Sequence, residues 1–303
     1  MPDEARKPEQ VDLTDDEILR RRKRRRRLKF LSMRRIPTVA VLPTLFTLGN
    51  VVCGFFAIVV ASRILKPTSP EVQDLDNVLL SAWLIFLAMI FDALDGHIAR
   101  LARSTSDFGA QLDSLCDAVT FGVAPGFLMV KMCPQFTYLH EHAPWIIAAT
   151  YTVCAVMRLA RFNVESNEAD DHLRFKGLPS PAAAGSIAGF AIFFSTLRDE
   201  TNIFPLGFRL GLDEKLQHIL PWFTLLVAAL MVSQVPYPHV INQLFRGHRS
   251  FTHLVGIVFS LVAIMVIRGY AVPIICVIFV LGPPIRFFWE KWYQRKEGKE
   301  PLF

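Results

Sequence analysis

Eight apolar runs, each close to the roughly 20 residues that a membrane-spanning helix requires, divide this chain of 303 residues. Hydrophobic residues make up 52% of the chain, which is typical of an integral membrane protein rather than a soluble domain. We therefore predict an all-α integral membrane protein, a bundle of about eight transmembrane helices. The runs lie near residues 40–62, 78–98, 112–132, 144–161, 181–197, 217–234, 252–267 and 271–289.

A basic tract ahead of the first run predicts the orientation. Residues 20–27 comprise seven arginines and one lysine, and such tracts stay on the cytoplasmic side of a membrane. Eight spans then bring the basic C-terminus and the connection between the second and third runs to the cytoplasm too. A basic tract can also bind nucleic acid, but directly before a span it more simply orients the helix and adheres to anionic lipid. We expect membrane lipids and no nucleic acid among the partners.

Four aspartates interrupt the apolar sequence where the second run ends and the third begins. An acidic side chain at the centre of a membrane helix costs about 2.5 to 3.5 kcal/mol, so the group requires a polar cavity or a bound cation. Asp92 and Asp95 share one helix face, and Asp113 and Asp117 share another, because residues three or four apart are neighbours on a helix. Carboxylates suit Mg²⁺ or Mn²⁺ and leave coordination positions open for phosphate oxygens. The spacing predicts a divalent-metal site between the two faces.

Small residues and one arginine lie on the same two faces. Gly96 and Ala99 follow the first pair of aspartates, and Gly109 precedes the second pair. Their lack of bulk leaves room for a pyrophosphate group to approach the backbone. Arg100 can pair with a phosphate through its planar guanidinium group. We predict that this site binds a phosphorylated ligand.

A second polar group follows the fourth run. Arg158 and Arg161, three residues apart, lie on one face of its cytoplasmic end, where they either anchor the helix among lipid phosphates or bind an anion. Ser180 followed by Pro181 is typical of an N-cap and first helical position, which directs a positive helix end toward the same cavity. Lys176 adds to the positive potential. We predict an acceptor site for a carboxylate or a phosphate at Arg158, Arg161, Lys176 and Ser180.

The aspartate motif resembles that of a known family. It matches the CDP-alcohol phosphatidyltransferase signature at every fixed position, and further segments resemble the phosphatidylserine synthase branch of that family. The matching signature residues are Asp92, Asp95, Gly96, Ala99, Arg100, Gly109, Asp113 and Asp117. The further segments are residues 47–50, 53–54, 121–125, 158–163, 177–181, 233 and 237–238.

This resemblance implies an activity. It implies transfer of a phosphatidyl group from CDP-diacylglycerol to the hydroxyl of L-serine, with release of CMP. Two divalent ions are expected on the four aspartates, Asp117 is expected to act as the general base, and a homodimer in a bacterial cytoplasmic membrane is expected, with the active site facing the cytoplasm. The residues implied for nucleotide and phosphate binding are Asn50, Gly96, Ala99, Arg100 and Gly109.

Composition and the resemblance together suggest how the chain is divided. Residues 1–35 are polar and charged with no apolar period, so they are expected to form a basic, disordered cytoplasmic tail. Residues 36–240 are expected to form the CDP-alcohol phosphatidyltransferase membrane domain. Residues 241–303 are expected to add two transmembrane helices and a basic cytoplasmic C-terminus.

Two alternatives remain open at this point. The signature is expected to bind the CDP-linked donor and does not specify the acceptor. Glycerol 3-phosphate or an inositol phosphate could therefore replace serine within the same fold. In a different class, intramembrane carboxylates also line ion pathways in transporters. A transporter predicts polar residues spread through several spans, whereas here they cluster at one end of two runs.

Overall fold

The fold is helical throughout the part of the chain that the structure describes. The computed structural model describes residues 41–64, 72–102, 107–165, 177–198, 205–237 and 268–296, and its regular structure there is helical apart from an isolated bridge. Its helices are α1 (Val41–Ser62), α2 (Val72–Ala102), α3 (Asp107–Asp117), α4 (Ala124–Met132), α5 (Pro134–Leu139), α6 (Ala143–Glu165), α7 (Ser180–Arg198), α8 (Leu206–Val232) and α9 (Ala271–Lys296). The prediction of an all-α fold is confirmed.

Six helices in these residues are long and apolar enough to cross a membrane, and they correspond to the first six predicted runs. The eighth run lies in α9, whose apolar part, Ala271–Phe287, is shorter. The seventh run, residues 252–267, lies outside the described residues, so the total of eight spans stays a prediction. The expected N-terminal tail also lies outside them.

The third span, Phe108–Met132, is a composite helix. It joins α3 to α4 through a π-helical segment, Ala118–Val123, in which the Ala124 N–H donates to Val119 O, five residues back. The third and fifth spans are the most deeply buried of the six. They form the interior of the bundle.

The other helices surround this interior. α1 packs along α2, α6 packs against the π-helical segment and α8, and α7 packs against α2, α8 and α9. Small residues dominate α7, which permits the close helix approach common in membrane bundles. Large apolar side chains such as Phe55, Trp83 and Ile146 are exposed on the outer faces, as expected where a helix meets lipid.

An ion pair joins two helices far along the chain from the aspartate motif. Arg198, at the end of α7, donates from Nε and Nη2 to the two carboxylate oxygens of Asp213 in α8, both at 2.9 Å. Gln217 donates to the same carboxylate at 2.8 Å. These polar groups satisfy one another and hold the two helices together.

Gly54 sets the distance between α1 and the third span. A Cβ atom at this position would lie 2.8 Å from the Thr120 Cα, closer than real Cβ atoms approach a backbone. A larger residue therefore cannot fit here without moving α1 away from the π-helical segment.

Gly54→Ala is accordingly expected to destabilise the protein by about 1 to 3 kcal/mol, the usual cost of overpacking a well-packed core. Thermal unfolding of the purified protein in detergent measures this. Gly211→Ala in α8 is the control, because a Cβ atom at Gly211 would meet no atom within 4 Å. Equal losses in the two variants would contradict the close packing at Gly54.

Candidate metal and acceptor site

Three carboxylates converge between α2 and α3. Asp92 and Asp95 lie in the second half of α2 and Asp113 lies in α3, and one ligand oxygen from each lies within 4.8 Å of the others. The carboxylate-bearing faces of α2 and α3 therefore lie opposite each other, as the sequence predicted for Asp92, Asp95 and Asp113. This is the spacing that three ligands of one cation require.

Helix α1 orients two of the four aspartates. The Thr47 hydroxyl donates to Asp95 Oδ2 at 2.9 Å, and the Asn50 Nδ2 donates to Asp117 Oδ1, also at 2.9 Å. Thr47 and Asn50 are three residues apart and therefore share one face of α1. Asp117 lies outside the group of three ligands and is held by a neutral amide instead.

Burial makes the arrangement costly without a cation. Asp95 and Asp117 are only 5% and 7% exposed. Asp113 Oδ1 is buried and has no hydrogen-bond partner among the residues that the structure describes. Carboxylates that are buried together repel one another, and a bound divalent cation offsets both the repulsion and the lost hydration. The oxygen donors, the orphaned Asp113 atom and the spacing all fit Mg²⁺ or Mn²⁺.

The small residues of the motif lie beside the carboxylates. A Cβ atom at Gly96 would meet no atom within 4 Å, so the backbone of α2 borders open space here. Gly109 lies in the first turn of α3, one turn before Asp113. Ala99 and Arg100 lie in the last turn of α2, and their side chains are outside the described part of the structure.

Two residues of the predicted acceptor site are in direct contact. Arg158 Nη1, on α6, donates to the Ser180 Oγ at 2.8 Å, and Ser180 is completely buried. The guanidinium group is also close enough for its charge to interact with the carboxylates of Asp117 and Asp92. Arg161 lies three residues further along α6 and is half-buried. Lys176 lies outside the described residues.

The fifth span begins one residue earlier than predicted. α7 starts at Ser180, and the Ala183 N–H donates to Pro179 O, so Ser180 is the first helical residue rather than the N-cap. The expectation that its hydroxyl caps the helix is therefore wrong. At this position the hydroxyl accepts from Arg158 instead.

A backbone clasp fixes the segment before Ser180. The Gly177 N–H donates to Val235 O at 2.9 Å and the Leu178 N–H donates to Leu230 O at 3.0 Å, which ties this segment to the end of α8. Gly177 adopts a φ of 93°, and a Cβ atom there would lie 2.5 Å from the Met231 O. Only glycine meets both requirements.

The contacts that orient the site were not predicted from the sequence. Thr47 was noted only as part of a resembling segment, and Asn50 was expected to bind phosphate or nucleotide, whereas its amide contacts Asp117. Asn163 on α6 donates to the Ser114 hydroxyl, between the two aspartates of α3, at 2.8 Å. Polar residues three apart on the otherwise apolar α1 were the available signal.

Asp113→Asn tests the metal site. Removal of one charge lowers the repulsion among the remaining carboxylates, so the metal-free variant is expected to unfold at a temperature equal to or above that of the parent. The rise in unfolding temperature on addition of Mn²⁺ is expected to be largely lost, because ligand binding stabilises only a protein that retains its site.

Asp76→Asn is the control, because Asp76 is an exposed carboxylate on the same helix as Asp92. It is expected to retain the full Mn²⁺ effect in thermal unfolding measurements. An unchanged Mn²⁺ effect in Asp113→Asn would place the metal elsewhere.

Comparison with known proteins identifies the family. A family profile for CDP-alcohol phosphatidyltransferase matches residues 40–233. The chain is 31% identical over 197 residues to a CDP-diacylglycerol–serine O-phosphatidyltransferase of Helicobacter pylori strain J99, covering 65% of this chain and 71% of the relative. It is 29% identical over 209 residues to the protein of the same name from Bacillus subtilis strain 168, covering 69% and 93%.

An archaeal protein is also similar. The archaetidylserine synthase of Methanothermobacter thermautotrophicus is 28% identical over 212 residues, covering 68% of this chain and 73% of the relative. The family match spans the helices that carry the aspartates, Arg158 and Ser180. The chain belongs to the CDP-alcohol phosphatidyltransferase family.

Proposed function

We propose that this protein transfers the phosphatidyl group of CDP-diacylglycerol to the hydroxyl of L-serine, giving phosphatidylserine and CMP. The observation that carries the proposal is the pairing of two sites. Three carboxylates cluster between α2 and α3, and Arg158, which donates to the buried Ser180, lies close enough to Asp92 and Asp117 to interact with them electrostatically. The relatives named for this reaction support the same choice of donor and acceptor.

The donor diphosphate belongs at the carboxylate cluster. Asp92, Asp95 and Asp113 would hold the divalent cation, and Asp117 would contribute to a second one, with Mg²⁺ and Mn²⁺ both suited to oxygen ligands. A cation in this site supplies positive charge that offsets the charge of the diphosphate and of the leaving CMP. The open space at Gly96 leaves room for the phosphates against the backbone of α2.

Four further motif residues are proposed to shape the donor site. Ala99 and Gly109 would keep its walls free of bulk, and Arg100 would pair with a phosphate oxygen. Asn50 was first expected to contact the nucleotide or a phosphate. Its amide hydrogen bond to Asp117 favours an orienting role.

Asp117 is proposed as the general base. Asn50 holds its Oδ1, which leaves the second oxygen to accept a proton from the serine hydroxyl. The serine oxygen then forms a bond to the phosphorus of the phosphatidyl group, and the bond from that phosphorus to the CMP oxygen breaks. The proton stays on Asp117, and CMP leaves with the electron pair of the broken bond.

The acceptor is proposed to bind at Arg158. A guanidinium group binds a carboxylate through paired hydrogen bonds, and Ser180 holds this one in place from the buried start of α7. Arg161 and Lys176 would add positive charge around the serine carboxylate. This arrangement favours an acceptor that carries an anionic group, and the names of the relatives favour serine among such acceptors.

We also propose the placement of the chain. Residues 36–240 form the catalytic membrane domain, and residues 241–303 add helices outside it. The basic N-terminal tract favours an active site that faces the cytoplasm of a bacterial cell, where serine and CMP are dissolved. The wide apolar exterior is compatible with a homodimer.

The first test is CMP release by the purified protein in detergent, with CDP-diacylglycerol and Mn²⁺ or Mg²⁺. L-serine, glycerol 3-phosphate, an inositol phosphate or no acceptor is supplied in parallel. CMP release is expected only when L-serine is the acceptor. Asp117→Asn is expected to lose about 10² to 10⁴ in turnover, the usual contribution of a positioned base, while it still binds CDP-diacylglycerol.

The outcomes separate the parts of the proposal. The exposed Asp76→Asn variant is expected to turn over normally. Release with a different acceptor would overturn the serine assignment, and normal turnover in Asp117→Asn would overturn the choice of base. No release with any acceptor would overturn the transferase function.

Arg158→Gln tests the acceptor site. Loss of a hydrogen bond to a charged group costs about 1.5 to 3 kcal/mol, so the KM for L-serine is expected to rise at least about tenfold. The KM for CDP-diacylglycerol is expected to stay nearly unchanged. Ser180→Ala, which frees the guanidinium group, is expected to raise the KM for serine by a smaller factor.

Arg286→Gln is the matched control, because Arg286 is exposed on α9. Steady-state kinetics with each substrate varied in turn measure these effects. Equal increases of both KM values in Arg158→Gln would assign Arg158 to the donor or to general folding.

A further inference from the structure

The π-helical segment Ala118–Val123 begins directly after Asp117. A π-helical turn contains about one residue more than an α-helical turn, which rotates the following residues by about 100° relative to a continuous α-helix. The third span therefore presents Asp113 and Asp117 to the site while α4 packs in the interior on a different face. The orientation of Asp117 depends on whether this turn is maintained.

Helix α6 supplies hydrogen-bond donors to carbonyls of this turn. Phe121 O has no α-helical donor, because the residue four positions later is Pro125, which carries no N–H. The Tyr151 hydroxyl donates to this carbonyl at 3.0 Å. The Thr152 Oγ1 lies 3.3 Å from Gly122 O and 2.9 Å from Ala148 O, next to the second carbonyl of the turn.

Helix α1 holds the other side of the same turn. The Thr120 hydroxyl donates to Asn50 O at 3.3 Å, and the Asn50 side chain donates to Asp117 Oδ1 at 2.9 Å. Gly54, one turn further along α1, lets the two backbones approach. The turn is thus bonded between α1 and α6, and the Asp117 carboxylate is bonded to the α1 side.

Tyr151 is placed to bond the π-helical turn, and the proposed mechanism gives it no other role. Its side chain is completely buried in the middle of an apolar span, where a phenol needs a partner for its hydroxyl. It lies 30 residues from Phe121 in sequence, and it belongs to none of the segments that resemble the family signature.

We propose that Tyr151 is a positioning residue for Asp117, because its hydroxyl bond to Phe121 O maintains the π-helical turn that aims the carboxylate at the acceptor. The inference rests on the proposed function, in which Asp117 takes the proton from serine. Thr152 assists by its contact with Gly122 O. A misplacement of about 1 Å at a reacting group can cost about 100-fold in rate, so the turn is a sensitive control point.

The test is Tyr151→Phe, which removes one oxygen atom and keeps the ring. Its kcat is expected to fall by up to about 100-fold, in line with a misplaced catalytic group. KM for CDP-diacylglycerol and for L-serine, and the Mn²⁺ concentration for half-maximal activity, are expected to stay close to the parent values. A loss of folding alone would reduce the amount of active enzyme without this selective effect, so kcat is referred to the fraction of folded protein measured by size-exclusion chromatography.

Ser81→Ala is the matched control. Ser81 is completely buried, and its hydroxyl also donates to a backbone carbonyl, Ala57 O, at 2.9 Å, in a contact between α1 and α2. It is expected to lower the unfolding temperature without lowering kcat. An equal kcat for Tyr151→Phe and the parent overturns the inference, as does an equal fall in kcat for Ser81→Ala.

A milder variant covers the case in which Tyr151→Phe does not fold. Thr152→Val keeps the shape of the side chain and removes its hydroxyl. A several-fold fall in kcat with unchanged KM values supports the inference, whereas an unchanged kcat overturns it.

The activity of the parent enzyme distinguishes a failure of the proposed function from a failure of this inference. A parent without serine-dependent CMP release would overturn the proposed function and this inference together, whereas an active parent with an unaffected Tyr151→Phe overturns the inference alone.

Discussion

Mutual repulsion among carboxylates in an apolar bundle is the constraint on which the site depends. Three aspartates bring their oxygens within 4.8 Å, and Asp95 and Asp117 are buried while Asp92 and Asp113 are partly buried. Charges in such surroundings lose hydration and repel strongly unless donors and cations compensate them. The side-chain bonds from α1 and the nearby Arg158 provide part of this compensation. The remaining negative charge is what a bound cation would offset.

Helix α1 serves as a template against which the motif helices are aligned. Thr47 and Asn50 contact aspartates of two different helices from a single face, and Gly54 brings the same face against the π-helical turn. A rigid helix that contacts both halves of the motif fixes their separation without a covalent link. The four-residue connection between α2 and α3, residues 103–106, therefore does not have to set this separation alone.

The sequence was sufficient for the parts governed by local spacing. Apolar runs predicted the six helices that are long and apolar enough to cross a membrane, and the three-residue spacing of Asp92 and Asp95 predicted that these two lie together in the carboxylate cluster. It was insufficient where tertiary contacts decide. The π-helical turn has no local sequence rule, so the bond from Tyr151 to Phe121 O could not be foreseen. The contact between Arg158 and the Ser180 hydroxyl joins two helices that are distant in sequence, so it could not be foreseen either.

The clasp between Gly177, Leu178 and the end of α8 consists of main-chain hydrogen bonds, which do not depend on side-chain identity at their acceptors. The segment before Ser180 is thereby held in place without help from the side chains that are proposed to bind the acceptor. Carboxylates for the donor come from a different part of the chain, α2 and α3. Side chains at the start of α7 can therefore change without loss of the main-chain hydrogen bonds that hold this segment against the end of α8.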